Sequence, residues 1–512
     1  ELDPSAADVH GDTFAGHGLS AGPVDPGERN TIEVTGFGGS LDLRGATLLD
    51  ITDLEFATHS PALVGNASTT VSLSGSQFGP GQVAPGLLVT ADDQFDNITV
   101  YDGTVGVPTT FDLSGLHFSG TWSSDKENFT IDASAAVAAV TITGPNIDKT
   151  IDTGTATDSH YVAGLGNDVF VLNSAQNVAG DVFAGGASTA AGSAAPGETN
   201  TIEITGNGGE IDFTKATLTD ISNIDFTTSG GPMRIDINAS QLYSGGIAPD
   251  LSIRFNPNPQ TIAIVPDTTT IDISALQFID FDTAKDKLIL DGSQSQVPLT
   301  FIAHAYAEML GGHSTNTFVF NNNSLVDHDT ANSANGIGIF EVDGGVRFYT
   351  FDQGANASYS TSHFTNISSL QLDGNSTAEF LWSQFGAGSL AKNMTVSAAV
   401  GSDLNILQII DDVSGTLDAS QLQFSSWTEP SQNGPGDSVF INTLAGLGDA
   451  TIIAPNIDST AVSNRSHTTF IAGSADTYNF TGGYDTENVF VYAAAPTAPE
   501  GVTFGSMGVY SA

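Results

Sequence analysis

Apolar and polar residues alternate over short stretches along most of the chain, a period of two that predicts β-strands. One alternating motif recurs: apolar, Asp, apolar, Ser, three further residues, then Phe or Leu. It occupies residues 111–118, 271–278 and 417–424, with a relative at 235–242. The alternation turns the Asp outward, and the Ser or Asn bonds nearby backbone where the chain turns a corner. The pattern predicts that Phe118, Phe278 and Phe424 point inward at equivalent corners.

Longer segments of the sequence repeat as well. Residues 30–36 return as residues 200–206, an offset of 170 (200 − 30), and the register then holds without a gap to residues 224–226. A weaker copy relates residues 364–370 to 218–224, an offset of 146 (364 − 218). Repeats of this kind are typical of stacked coils. The sequence therefore predicts an all-β fold, a parallel β-solenoid or β-roll-like stack built from three degenerate repeat units.

We place these units at residues 1–179, 180–325 and 326–512, the last including the start of a fourth. Residues 304–310 are the best candidate for a short turn of helix. Residues 9–16 and 489–505 both match the internal junction around residues 169–186. Strand edges at the two ends would allow subunits to join head to tail. The alternative is that the chain is a piece of a longer repeat protein.

Composition narrows the possible partners. The 512 residues contain 12 Lys and Arg against 58 Asp and Glu, which gives a formal net charge of −46. That charge argues against binding to nucleic acid or to anionic lipid, and it favours divalent cations as counter-ions. Disorder is excluded because 39% of the residues are hydrophobic. The absence of cysteine fits an exported bacterial protein as well as a cytosolic one, and no apolar run predicts membrane insertion.

Residues 163–171 carry the most specific chemistry in the sequence. They match the nonapeptide G-G-x-G-x-D-x-U-x at every fixed position but the first, where Ala163 replaces Gly. The glycines permit a tight turn that exposes backbone carbonyls, and the Asp adds a hard oxygen of the kind that Ca²⁺ prefers. Acidic loops elsewhere extend the predicted set. The predicted calcium ligands are Asn167, Asp168, Asp148, Asp152, Asp458, Asp476 and Asp485.

Together with residues 130–144, this segment resembles the repeat-in-toxin (RTX) and related bacterial surface-layer proteins. In that family an Asp-Ala-Ser-Ala turn, here residues 132–135, a Val/Thr strand and a Gly-Asn-Asp loop follow one another. The resemblance implies a secreted, calcium-binding β-roll. One departure is that RTX β-rolls bind ions between consecutive nonapeptides, whereas this chain rarely has two in a row. A single loop of this kind is also compatible with a plain Gly/Asn turn.

The function that follows is an exported extracellular structural protein that self-assembles into a surface layer or filament and is stabilised by calcium. Its main partner would be itself, as a head-to-tail homopolymer. An alternative is an RTX-like adhesin or biofilm-matrix protein that binds cell-surface polysaccharide, and a third is a glycan-active enzyme. Catalysis is not expected, because the ten histidines are scattered and no nucleophile elbow or phosphate loop is present. Trp122, Trp382 and Trp427 are possible sugar platforms, although isolated tryptophans more often fill core or edge positions.

Overall fold

The computed structural model is all-β, with many short strands in parallel sheets and, where it describes the chain, four short 3-10 helices. Its parallel architecture confirms the coarse part of the predicted fold. Strand partners follow one another in register, as in the pairing of Ile131 with Ile151. No helix in the part of the chain that the structure describes has the length and apolar character needed to cross a membrane.

The structure describes most of the chain up to residue 321 and shorter stretches after it. The described residues are 2–3, 9–16, 28–35, 38–57, 68–79, 82–92, 94–102, 109–119, 122–174, 176–190, 192–242, 247–282, 284–302, 307–314, 316–321, 330–332, 338–343, 363–365, 367–373, 377–387, 389–398, 405–428, 436–443, 448–457, 459–463, 467–472, 478–481 and 487–492.

The strands are named in chain order. The first half holds β1 (Thr13–Ala15), β2 (Thr31–Val34), β3 (Gly39–Asp42), β4 (Thr47–Leu49), β5 (Ile51–Phe56), β6 (Ser68–Ser74), β7 (Val83–Thr90), β8 (Phe95–Tyr101), β9 (Thr109–Asp112), β10 (His117–Phe118), β11 (Asn128–Asp132), β12 (Val140–Thr143), β13 (Lys149–Asp152), β14 (His160–Val162), β15 (Asp168–Asn173), β16 (Val182–Ala184), β17 (Thr201–Thr205), β18 (Gly209–Asp212), β19 (Thr217–Thr219), β20 (Ile221–Phe226), β21 (Met233–Asn238) and β22 (Ile247–Arg254).

The second half holds β23 (Gln260–Val265), β24 (Thr270–Asp272), β25 (Gln277–Ile279), β26 (Lys287–Asp291), β27 (Leu299–Ile302), β28 (Ala307–Leu310), β29 (Asn316–Asn321), β30 (Thr330–Asn332), β31 (Gly338–Asp343), β32 (His363–Thr365), β33 (Ile367–Asp373), β34 (Thr377–Leu381), β35 (Leu390–Ala398), β36 (Ile406–Asp411), β37 (Gly415–Asp418), β38 (Gln423–Ser425), β39 (Ser438–Thr443), β40 (Ala450–Ile453), β41 (Ser459–Val462), β42 (His467–Ala472), β43 (Tyr478–Thr481) and β44 (Glu487–Tyr492). The 3-10 helices are η1 (Gly75–Gln77), η2 (Phe213–Lys215), η3 (Ala239–Leu242) and η4 (Trp382–Gln384).

The chain forms two compact units, and the first comprises residues 1–262 and 276–286. Its largest sheet has the order β25-β22-β20-β17-β15-β13-β11-β8-β6-β3, and a five-stranded sheet has the order β19-β16-β14-β12-β9. The core runs along these sheets as ladders of apolar side chains. One ladder joins Ile131, Ile151, Phe170, Ile202 and Ile224, all buried and paired in register. Each coil therefore buries its apolar face against the next.

The second unit comprises residues 263–275 and 287–512. It contains sheets of the order β24-β27-β29-β31-β33-β35-β38, β34-β36-β39-β41-β43 and β37-β40-β42-β44. Its core is built in the same way as that of the first unit, from ladders of apolar side chains. Ile409, Ile441, Ala461 and Phe480 pair in register through β36, β39, β41 and β43, and all four side chains are buried.

The recurring Asp-x-Ser segment forms corners as predicted, but the Asp rather than the Ser side chain bonds the backbone. The carboxylate is the acceptor: Asp272 Oδ1 accepts the backbone N–H of Ser274 at 3.0 Å and its hydroxyl at 2.7 Å. Asp418 accepts the same two groups of Ser420 at 3.1 and 2.6 Å. Because this bond satisfies an N–H that the strand ladder has released, it ends the strand and sets the direction of the next segment.

The phenylalanines of this motif are half-buried rather than fully inside. Phe118 lies 4.8 Å from Trp122 between ring centroids, and Phe424 lies 5.2 Å from Trp427. Phe278 is likewise half-buried beside Phe281. The three rings thus occupy similar places. An aromatic neighbour three or four residues later packs against each of them, and Phe118 and Phe278 also contact the buried rings of Phe129 and Phe255.

The predicted helical turn at residues 304–310 is wrong in its described part. Residues 307–310 form strand β28, in which Ala307 and Met309 are buried and alternate with half-buried residues. Helix propensity is a weak preference, and pairing with β26 in register outweighs it. A period of two already fits these four residues.

A buried or half-buried glutamine closes a second kind of corner. Gln77 Oε1 accepts the N–H of Ser74 at 2.7 Å, while its Nε2 donates to two backbone carbonyls of an earlier coil, at Leu43 and Ala46. Gln241 repeats every one of these contacts, accepting from Asn238 at 2.7 Å. Its Nε2 donates to Phe213 and Ala216, each at 3.0 Å.

The strand after each of these corners is long and carries an irregular register against the strand of the preceding coil with which it pairs. The register shifts in the pairs β5–β7, β20–β22 and β33–β35. In the third case the preceding corner is η4, where Gln384 Oε1 accepts the N–H of Leu381 at 2.9 Å. One local arrangement of corner and bulged strand therefore occurs three times along the chain.

Candidate functional site

The Gly-rich turn that precedes β15 is built against the turn that precedes β13. Gly164 and Gly166 have φ angles of +103° and +125°, in the region that favours glycine. Space is also closed there, because a Cβ on Gly166 would lie 2.5 Å from the backbone carbon of Ile147. The glycines of the nonapeptide are thus needed both for backbone conformation and for close approach of two coils.

Side-chain oxygens of neighbouring coils accept the backbone N–H groups of this turn. Asn146 Oδ1 accepts from Leu165 at 3.0 Å, and Asp148 Oδ1 accepts from Asn167 at 2.8 Å. Glu198 Oε1 accepts from Gly166 at 2.8 Å. These carboxylate and amide oxygens therefore hold the turn in place by hydrogen bonds.

Asn167 continues the same network toward the next coil. Its Oδ1 accepts the backbone N–H of Thr199 at 2.8 Å and the hydroxyl of that residue at 3.1 Å. Asn200, the next residue after Thr199, adds a bond in the opposite direction: its Oδ1 accepts the N–H of Asp168 at 3.3 Å. Three consecutive coils are thus linked by Asn and Asp side chains at equivalent heights.

Asp168 points into the interior and forms an ion pair with Lys149. Lys149 Nζ lies 2.5 Å from Asp168 Oδ1, and neither side chain is exposed. The second carboxyl oxygen, Oδ2, is buried and has no hydrogen-bond partner among the described residues. A buried acceptor without a hydrogen bond lowers the stability of the fold, whereas the backbone N–H groups of the same turn are satisfied.

Burial shifts the pKa of both partners away from the charged forms. It raises the pKa of the Asp168 carboxyl to about 7, against the opposing influence of the Lys149 charge. It lowers the pKa of the Lys149 amine, although the charges of Asp168, Asp148 and Glu198 act in the other direction. Removal from water therefore opposes the charged form of each partner, as it does not at a surface ion pair.

The other predicted ligands are dispersed or lie outside the described residues. Asp148 accepts an N–H from Asn167 across the two turns, whereas Asp152 lies at the far end of β13, beside Asp132 in register. Burial, followed by the charges of Asp132 and Glu203, raises the pKa of Asp152. The remaining members of the predicted set lie outside the described residues: Asp458, Asp476 and Asp485.

The donor set at the turn fits a calcium ion poorly in this arrangement. The oxygens of Asn146 and Asp148 accept N–H groups, and the ammonium of Lys149 lies against Asp168. Within the described ranges, no group of three or more His, Cys, Asp or Glu side chains converges to hold a metal ion. Calcium binding by Asn167, Asp168 and their neighbours stays a prediction, and it would require these contacts to be exchanged.

The tryptophans pack against the protein itself. Trp382 is buried, stacks on Phe385 at 5.0 Å between ring centroids, and donates its indole N–H to Thr416 O at 3.3 Å. Trp122 and Trp427 cover the half-buried phenylalanines described above. These contacts use ring faces or edges that a sugar platform would present to a ligand.

Lys149 and Glu198 are the residues of this site that sequence reasoning missed. A usable indication existed for the lysine. Only 12 residues of the chain are Lys or Arg, and Lys149 stands two residues before Ile151, on the inward phase of an alternating strand. A rare cation on an inward position indicates a buried partner.

No protein-family model, curated protein or solved structure matches this chain. The resemblance to RTX and surface-layer proteins stays a prediction that depends on the motifs at residues 130–144 and 163–171.

Proposed function

We propose that this chain is an exported structural protein whose copies assemble outside the cell through the edges of their parallel sheets. The observation that carries the proposal lies on β44, the last described strand of its sheet. Val489 and Val491 are two residues apart on this strand, and they remain 51% and 42% exposed. Exposed apolar side chains on the same face of the outermost described strand are typical of a surface that another strand covers.

A second copy is the partner that this edge suits. A parallel stack offers the same backbone spacing at each edge, so a strand of another copy can continue the sheet by main-chain hydrogen bonds. Non-closing contacts of this kind produce a filament or a layer. The net charge of −46 opposes the contact, and calcium or other cations are proposed to reduce that repulsion.

We also propose that the chain consists of three related units. The threefold occurrence of a glutamine corner followed by a bulged strand supports this, at Gln77, Gln241 and Gln384. The carbonyls that accept from the first two glutamines differ by the same offset as the sequence repeat, since Leu43 and Phe213 are 170 residues apart (213 − 43). Repetition of a stacking unit is what an assembling solenoid requires.

Electron microscopy of the purified chain, with calcium and with excess chelator, tests the proposal. We expect ordered polymers in calcium, and we expect the Val491→Lys variant to lose them because it places a charge on the edge. Val137→Lys is the matched control, since Val137 is 61% exposed on a different part of the chain. A wild-type chain that stays monomeric in calcium at high concentration, or unaltered polymers from Val491→Lys, would overturn the proposal.

A further inference from the structure

Lys149 and Asp168 are held face to face by the strands that carry them. Lys149 begins β13, Asp168 begins β15, and the two are direct partners in the parallel register. Their side chains share the inner face with Ile151 and Phe170, which follow two residues later and are fully buried. The backbone pairing therefore fixes a primary amine against a carboxyl group, with Nζ 2.5 Å from Oδ1.

Glycine makes the room that the lysine needs. A Cβ on Gly144 would lie 2.9 Å from Lys149 Cδ and 2.4 Å from the carbonyl oxygen of Ala163. Because backbone closes the other side, a larger residue at 144 would displace the lysine side chain. The position of the amine is thus set by the coil beside it as well as by its own strand.

The interior makes a neutral form of this pair accessible. Taking two charges out of water is costly, and one proton moving from the ammonium to the carboxylate removes both charges. That transfer takes place within the pair and leaves its number of protons unchanged. Asp168 Oδ2, which has no hydrogen-bond partner among the described residues, is the oxygen that can carry the proton.

We propose that Lys149 and Asp168 become joined by an isopeptide bond that the folded chain forms on its own. The lone pair of Nζ attacks Cγ of the neutral carboxyl group, the N–C bond forms, and the bond from Cγ to Oδ2 breaks. One hydrogen of the amine leaves with the hydroxyl as water, and the other stays on the amide nitrogen. Nothing is oxidised or reduced, so no co-reactant is required.

Proximity lowers the barrier to the attack. Two groups held at contact distance react as one molecule and avoid the entropy cost of meeting in solution. Asp148 and Glu198, each fixed by an N–H of the turn, lie close enough for their charges to act on the amine. Both hold the turn that carries Asp168 by accepting its backbone N–H groups, which makes them positioning residues for the reaction.

The link would replace a buried ion pair by an amide between neighbouring coils. This removes the uncompensated cost of two desolvated charges and ties together residues 19 positions apart (168 − 149). It does not depend on assembly of copies, so it can be correct whether or not the protein polymerises.

Intact mass measurement of the purified full chain tests the proposal. We expect a mass lower than that of the sequence by one water. Proteolysis should yield a branched product containing residues 149 and 168, and it should survive denaturation. An intact mass equal to that of the sequence, with free peptides from both positions, would overturn the proposal.

Two variants and one internal comparison make the result specific. Lys149→Arg and Asp168→Ala should each restore the mass calculated for the unlinked variant, because arginine lacks the primary amine and alanine lacks the carboxyl group. Lys285 and Asp282 are 3.0 Å apart but exposed, so their peptide should stay unlinked. Chain that has never folded should keep the full mass in denaturant and lose the water only when it is refolded. A loss of water while the chain is still denatured would contradict the mechanism.

Discussion

At the scale of the residue, the acidic side chains fall into exposed and buried sets with different roles. Exposed ones, such as Asp112, cap corners by accepting the N–H two residues later. Buried ones accept a backbone N–H, as Asp181 does from Ser159 at 2.8 Å, and retain an oxygen without a partner among the described residues. Burial raises the pKa of Asp181 to about 7, and it does the same for Asp96.

These buried carboxyls predict a fold that is more stable in mild acid. A folded pKa raised from 3.8 to about 7 means that the group stays protonated in the folded chain while the unfolded chain ionises. The stability is fully present below pH 3.8 and is lost as pH rises to about 7. We therefore expect the melting temperature to fall between about pH 4 and pH 7, as measured by thermal unfolding monitored by circular dichroism.

Substitution at Asp181 separates this effect from general charge repulsion. Asp181→Asn should flatten the pH dependence and stabilise the chain at pH 8 by on the order of 1 kcal/mol. Asp282→Asn is the control, because Asp282 is exposed and the hydrogen bond from Lys285 lowers its pKa. A slope that is unchanged in Asp181→Asn, or flattened equally in Asp282→Asn, would contradict the assignment.

Residue chemistry was only partly predictable from the sequence. Asp-x-Ser corners follow from local bonding within three residues, so the pattern suffices to predict them. The inward position predicted for Phe118 holds only in part, since its half-buried ring lies between Trp122 and the buried Phe129. The partner of Lys149 lies 19 residues away (168 − 149) in another coil, and a distance of that kind depends on the stacking register. Local patterns do not contain that register.

At the scale of the element, glutamine corners connect coils that are distant in sequence. One side chain accepts an N–H of its own corner and donates to two carbonyls of the coil beside it, as Gln77 and Gln241 both do. A single amide thus satisfies three backbone groups. The strand alternation was predictable here, but the role of the glutamine was not, because its acceptors lie 31 and 34 residues earlier for Gln77.

Truncation of either glutamine should therefore destabilise the fold around the corner that it closes. For Gln77→Ala we expect a loss of about 2–3 kcal/mol in the free energy of unfolding, because backbone groups lose partners in a closed corner. Gln241→Ala should cost slightly less, since Gln241 is only half-buried. Chemical denaturation is the measurement, and Gln277→Ala is the control, because Gln277 is exposed on β25. Equal losses in all three variants would show that the corner contacts do not matter.

At the scale of the whole molecule, repulsion among the acidic side chains is a large electrostatic cost of folding. The chain carries 58 acidic against 12 basic residues. Ion pairs among the described residues, such as those of Lys149 and Arg234, offset only part of the difference. Self-repulsion of this size opposes any compact state, and divalent cations relieve it more effectively than monovalent ones. The sequence predicts this balance completely, because composition alone determines it.

Calcium removal should consequently lower stability. We expect excess chelator to lower the melting temperature and to disperse any polymers. Sodium chloride added to the same ionic strength distinguishes screening from binding: full recovery in salt indicates screening, whereas recovery only in calcium indicates bound ions. An unchanged melt in chelator would exclude a stabilising role for calcium.

The parallel register has a consequence for how the chain reaches its folded state. Paired residues are close in sequence: Thr130 and Thr150 are 20 residues apart (150 − 130), and Leu407 and Val439 are 32 apart (439 − 407). These separations are small against 512 residues, so little of the chain must be present before a coil can close. A polypeptide emerging end first, from a ribosome or through a narrow pore, can therefore fold one coil at a time behind the exit, each finished coil serving as the template for the next.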